Sequence, residues 1–246
     1  MASYLGVDWA GGCWVVVKTG ETTKIATEPS ILNVWHEYGA DVRSILVDIP
    51  IGLPESGVRA CDVEAKERLT NRGSTVFSIP SREVVEMDDY DRARELNDES
   101  LGSQSWWLFP RIREVDVFLQ EHPEATDKIY ESHPEICFAE LTGRSLESKN
   151  SVEGRKERLE VLNDTSDLQE TVMELVQERE EEGEWHHRIS KGRLDDVIDA
   201  AILAYTAEQL TLGPRREEPA YPALPTGVSE KDDNLGVSME IVLPSG

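Results

Sequence analysis

The chain has 246 residues, with 25 basic and 49 acidic side chains and a net charge of −24. That length suits one domain, or one domain with an insertion, and buries enough surface to fold without staples. Cys13, Cys61 and Cys137 are too widely spaced for a zinc motif, no apolar run approaches the roughly 20 residues that cross a membrane, and Met-Ala-Ser-Tyr leads straight into a strand, so we expect a cytoplasmic protein without a signal peptide.

Residues 3–18, SYLGVDWAGGCWVVVK, read as two strands around a tight Gly-Gly turn, and TTKIAT at 22–27 as a third, giving an antiparallel meander. Pro29-Ser30 precedes a helix over about 30–38, with Ile31, Val34, Trp35 and Tyr38 on one face. SILVD at 44–48 reads as a fully buried fourth strand stopped by Pro50 and Gly52. Residues 53–127 are charged and helical in pattern, with loop signals at Gly73, Pro80 and Pro110, and read as an insertion or cap. A short strand at 128–131 leads into a helix from Pro134 to Gly143. A charged helix or helix pair follows over 153–181, then an apolar helix over 193–210, a loop over 213–234 and a closing strand over 237–243. The EREEEGE run at 178–184 reads as a solvated helix end.

The acidity carries its own message. Lysine is scarce, at 8 against 17 arginines. Self-repulsion strains a compact state of this charge at low salt, whereas at about 1 M salt the Debye length falls to about 3 Å and the strain largely vanishes. We therefore expect a halophilic cytoplasm, and the charge does not argue against a nucleic-acid partner as it would in an ordinary setting.

Four acidic islands are the main functional signal. Asp8 in GVDWAGG, Asp48 in ILVDIPIG and Glu131 in IYESHPEI each end an apolar run, and Asp195, Asp196 and Asp199 in LDDVIDAA open an apolar helix. Carboxylates beside a core are costly unless paired, hydrogen-bonded or metal-bound. Four such placements point to one shared cation, a divalent metal or a pair of them. Each also has an ordinary reading: Asp8 or Asp48 bonding its own backbone, Glu131 on an edge strand, the late acids suiting a helix dipole. On a 3.6-residue wheel Asp195 and Asp199 flank the apolar stripe, with Asp196 further round.

No P-loop, dinucleotide fingerprint or Gly-x-Ser-x-Gly elbow competes. His186-His187 lacks a metal-ligand spacing. His133 reads as a ligand, a proton shuttle or a turn residue. Trp106-Trp107 reads either as a stacking platform for bases or as core of the 53–127 segment. Among the basic residues, Arg59, Arg82, Lys149 and Arg155 are the candidates to meet a phosphate, with a surface ion pair as the competing reading for each.

The ordered set GVDWAGG, VDIPIGLP, RACDVEAKERL, YESHPEICFAELTG and DDVIDAAILAYTA resembles the family labelled domain of unknown function 429, described as predicted nucleases of ribonuclease-H-like fold. The likeness runs over most of residues 3–210. It implies an α/β fold: a mixed five-stranded sheet flanked by helices, within a single domain over 1–246 that carries 53–127 as a helical insertion. It implies Asp8 as the first-strand acid, Asp48 as the fourth-strand acid, and Asp196 and Asp199 as the late-helix pair, in a DxxDA pattern resembling that of Holliday-junction resolvases. Asp195 stays open as a ligand, and Glu131 belongs to the narrower family's segment.

The expectation is a metal-dependent nuclease. Asp8, Asp48, Glu131, Asp196 and Asp199 are its catalytic candidates; Asp8, Asp48, Asp195, Asp196 and Asp199 are the ligands of a suspected two-metal Mg²⁺ or Mn²⁺ site. Arg59, Arg82, His133, Lys149 and Arg155 are the substrate-binding candidates, nucleic acid is the expected partner, and a homodimer is left open. The alternatives are a non-catalytic, metal-stabilised binding module and an actin-like ATPase or kinase relative, which would need a second phosphate-binding turn.

Overall fold

The computed structural model describes residues 2–163, 168–180, 189, 193–210, 221–226 and 233–245. His186-His187, the acidic run beyond Glu180 and most of the 213–234 segment lie outside these residues.

Three strands, β1 (Ser3–Trp9), β2 (Trp14–Thr19) and β3 (Lys24–Glu28), form the expected antiparallel meander, with Gly6 opposite Val17 and Asp8 opposite Val15. Ser30 caps α1 (Ile31–Tyr38), its side chain accepting from the Asn33 N–H at 3.2 Å. The α1 crossover brings β4 (Val42–Val47) parallel to β1, and β5 (Ile129–Glu131) adds parallel to β4. The result is a five-stranded mixed sheet of order β3-β2-β1-β4-β5, an α/β arrangement consistent with a ribonuclease-H-like fold.

Between β4 and β5 lie α2 (Ala60–Arg68), α3 (Arg82–Val85), α4 (Tyr90–Leu96) and α5 (Ser103–Glu121). Pro110, expected to mark a loop, sits inside α5. A proline there removes the donor for the Trp106 carbonyl, but burial of Phe109, Ile112, Val115 and Leu119 outweighs that loss. After β5 come α6 (Pro134–Thr142), α7 (Val152–Asn163), α8 (Leu168–Glu180) and α9 (Leu194–Gln209). The α6 boundaries follow from sequence chemistry: Pro134 opens the first turn and Gly143 closes it with φ +67°. The closing strand is shorter than expected. Asp233 accepts the N–H groups of Leu235 and Val237, which leaves β7 (Ile241–Val242) to pair with β6 (Ala223–Leu224). Among the described residues, no helix is long and apolar enough to cross a membrane.

Strand alternation sorts the sheet's two faces. Leu5, Val7, Ile45, Val47 and Ile129 pack with α1 and α5 on one side. Val15, Val17, Leu46 and Tyr130 pack with α6 to α9 on the other. Gly6, Asp8 and Asp48 fall on the α9 side by the same alternation. The helix lies directly on Gly6, where a Cβ would stand 1.9 Å from the Ala200 carbonyl oxygen and 2.3 Å from the Ala204 nitrogen.

Candidate metal centre

Asp8 is the last inward residue of β1 before the turn. Its Oδ1 accepts the Trp9 N–H at 2.6 Å, and it is 7% exposed. The turn needs glycine at position 11, which has φ +78° and carries the Arg193 guanidinium 3.1 Å from where a Cβ would sit. Asp48 follows β4 directly, and its N–H donates to the Val7 carbonyl at 2.9 Å. Parallel pairing of β1 and β4 therefore sets Asp8 and Asp48 side by side.

The first turn of α9 supplies the rest. Because Ala200 rests on Gly6, one helical turn back places Asp196 over Asp8, two residues along the strand. Asp8, Asp196 and Asp199 each offer a carboxylate oxygen, and these oxygens lie within 4.8 Å of one another. Asp196 Oδ2 and Asp199 Oδ1 are buried without a hydrogen-bond partner. The other Asp199 oxygen accepts from Lys149 Nζ at 2.6 Å. Arg193 Nη1 stands 3.8 Å from that same Asp196 Oδ2, an ion pair too long for a hydrogen bond.

The electrostatics follow from the crowding. Burial, then Asp48, Asp196 and Asp199, push the Asp8 carboxyl well above its usual range. Burial pushes Asp48 up to about 6, against His133 and Lys149, which pull it down. Burial pushes Asp196 up to about 7, opposed by Lys149 and helped by Asp199. Asp199 is raised by burial despite Lys149. Burial disfavours the Lys149 ammonium, yet Asp199, Asp8 and Asp48 together outweigh it and hold the lysine above its ordinary pKa. Lys149, with Arg193 at the rim, thus faces four carboxyl groups whose pKa values all stay raised, a shortage of positive charge that a divalent cation would remove.

The remaining candidates divide. Alternation along β5 sends Ile129 to one core, Tyr130 to the other and Glu131 back to the first face, opposite Asp8 and Asp48. There Arg59 grips Glu131 with two bonds, Nη1 to Oε2 at 2.6 Å and Nη2 to Oε1 at 2.8 Å. Arg59 also bonds Asp62 and the Ile51 carbonyl, and Glu131 accepts the Ile51 N–H at 2.7 Å. Arg59 and Glu131 line the same cleft as Asp8 and Asp48, but there they satisfy each other as a buried pair. Arg82 bridges Asp116 and Asp233, the latter at 2.7 Å. Arg155 pairs with Asp195 at 3.0 Å, which turns Asp195 toward α7 and away from the three-carboxylate group. His133 lines the cleft, with Nε2 3.4 Å from the Thr75 carbonyl and Nδ1 buried without a partner. Lys149, a phosphate candidate by sequence, instead neutralises Asp199.

The cleft has a volume of about 450 Å³ and includes Asp8, Asp48, His133, Arg193 and Trp107. Arg193 was not among the sequence candidates; its only signal is its place just before the LDDVIDAA acids. Trp106 and Trp107 separate: Trp106 packs against Tyr90 and Phe109, while Trp107 is 76% exposed at the cleft.

The model of the family described as Protein of unknown function (DUF429) matches residues 6–223, which span every element of the site. The chain belongs to this family. No curated protein and no solved structure matches it. The family's description assigns no activity, so the chemistry has to be argued from the residues.

Proposed function

We propose that this protein is a hydrolase that cuts phosphodiester bonds of nucleic acid with Mg²⁺ or Mn²⁺ held by Asp8, Asp196 and Asp199. The observation that carries the reading is the convergence of Asp8, Asp196 and Asp199, whose carboxylate oxygens lie within 4.8 Å of one another, together with Asp199 Oδ1, buried and without a hydrogen-bond partner. Buried polar atoms are nearly always satisfied, and orphaned carboxylate oxygens are the donors that hard cations take. When bound, such a metal supplies Lewis acidity and lowers the pKa of its water.

The chain's own residues do the rest. Asp48, side by side with Asp8 across the β1–β4 pairing, is placed to complete the donor set, and with its pKa raised only to about 6 it is mostly ionised near neutrality, as a metal ligand must be. Lys149 fixes the Asp199 carboxylate by its 2.6 Å bond and leaves Oδ1 open. Arg193, half exposed at the rim, is placed to meet a phosphate, and its planar guanidinium suits a two-point contact. The acidic composition supports a salt-rich cytoplasm as the setting, where screening lets a polyanion approach an acidic surface.

The experiment is cleavage of labelled DNA and RNA substrates at high KCl with Mn²⁺ or Mg²⁺, wild type beside Asp8→Asn. Cleavage by wild type alone supports the reading. Equal cleavage by both variants removes Asp8 from the chemistry. The Lys149–Asp199 pair, which already satisfies one oxygen of the set, favours a second reading: a metal-stabilised binding module without catalysis. Metal binding that raises the melting temperature with no substrate cut selects that second reading.

A further inference from the structure

The cleft that holds the acids also holds an aromatic wall. Trp9, Phe77 and Trp107 line it together with Asp8, Asp48 and Arg193. Trp107 is the most unusual of these. A tryptophan 76% exposed leaves a large apolar face in water, while the adjacent Trp106 is tucked against Tyr90 and Phe109. Both sit in α5 just before Pro110, inside a helix whose other face is locked into the core by Phe109 and Ile112. Trp107 is therefore presented from a rigid element at the mouth of the acid cleft. Trp9, by contrast, already carries the Arg111 guanidinium 4.3 Å from its ring centroid.

Size narrows the occupant. About 450 Å³ lies within the usual range of small-molecule pockets, about 300–1,000 Å³, which is room for one nucleotide and not for a stretch of duplex. Stacking narrows it again. A base inside a duplex has both faces covered, so only an unpaired base can lie on a tryptophan. A cation completes the set: Arg193 is held over Gly11, where the missing side chain leaves it space beside the acids.

We propose that this cleft takes a single unpaired nucleotide of a nucleic-acid strand, its base stacked on Trp107 and its phosphate directed to Arg193 and the Asp8 group. The substrate class is then single-stranded or locally unpaired nucleic acid, and continuous duplex is excluded. This rests on the nucleic-acid reading of the site given above.

The test is fluorescence anisotropy with labelled strands of about 12 nucleotides, as single-stranded DNA, single-stranded RNA and blunt DNA duplex, at high KCl, where phosphate contacts are weakened and stacking persists. Wild type binds a single strand at least about tenfold tighter than the duplex. Trp107→Ala loses about 5- to 150-fold on single strands, the equivalent of about 1–3 kcal/mol of stacking, and Trp107→Phe retains most of the affinity. The Trp107→Ala melting temperature is unchanged, because the ring is exposed. Equal affinity for duplex and single strand, or a Trp107→Ala protein that binds like wild type, overturns this inference and leaves the nuclease reading standing. Binding of neither strand nor duplex overturns both.

Discussion

Gly6 of β1 and Ala200 of α9 touch backbone to backbone: a Cβ on Gly6 would lie 1.9 Å from the Ala200 carbonyl oxygen. This contact sets the height and rotation of α9 over the sheet, and so decides which of the late acids reaches Asp8. Asp196 and Asp199 do; Asp195 turns to Arg155. Gly6→Ala is expected to lower stability by about 1–3 kcal/mol or more, since neither backbone can give way easily. Thermal melts of the two proteins check this, and an unchanged melting temperature would mean that the helix does not sit where it is described.

The pH dependence has a definite sign. The folded-state pKa values of Asp48 (about 6) and Asp196 (about 7) are raised above their ordinary 3.8. Between about pH 4 and pH 7 the folded metal-free protein therefore holds more protons than the unfolded chain. The contribution of these groups to stability is full below the unfolded pKa and is lost as pH rises through the folded values. Metal competes with those protons, so Mn²⁺ affinity should rise across the same window. Metal-free melts of wild type against Asp196→Asn isolate the effect: wild type loses stability relative to the variant as pH rises. Parallel pH profiles would contradict it.

Glu131 and Arg59 give a contrasting prediction. Glu131→Gln breaks a buried, doubly bonded pair and should cost about 3–5 kcal/mol, while leaving Mn²⁺ affinity unchanged. A metal ligand would behave the other way, with affinity falling and stability little altered. Melting and Mn²⁺ titration of the same variant separate the two.

These cases show what the sequence could and could not carry. Asp8 and Asp48 were legible because each ends an apolar, β-branched run that can only be a buried strand, and parallel pairing brings the ends together. Glu131 ends a similar run, but β5 has three residues, and its alternation points Glu131 to the opposite face. The choice of Asp196 over Asp195 was hidden from the helical wheel, which gives relative angles but not the side of the stripe that meets β1; Gly6 decides that. Lys149 and Arg155 were read as phosphate contacts, yet each lies beside a carboxylate from α9, a neighbour about 40 or 50 positions away in the chain that no local pattern reveals. Pro110 is a breaker by propensity and a helix residue in fact, because the burial of its neighbours outweighs one lost hydrogen bond.

The charge of −24 yields a further prediction. Raising KCl from about 0.1 M to about 1 M shortens the Debye length from about 10 Å to about 3 Å, so the melting temperature should climb over that range as surface repulsion is screened. A melt indifferent to salt would remove the halophilic setting proposed here.

The most direct measurement is a calorimetric titration of metal-free protein with Mn²⁺, for wild type, Asp8→Asn and Asp199→Asn. The account predicts saturable binding by wild type and a loss of at least about tenfold in affinity for each variant, with both variants still folded. Binding by wild type that neither substitution weakens, or no binding at all, would contradict the assignment of Asp8, Asp196 and Asp199 as a metal site.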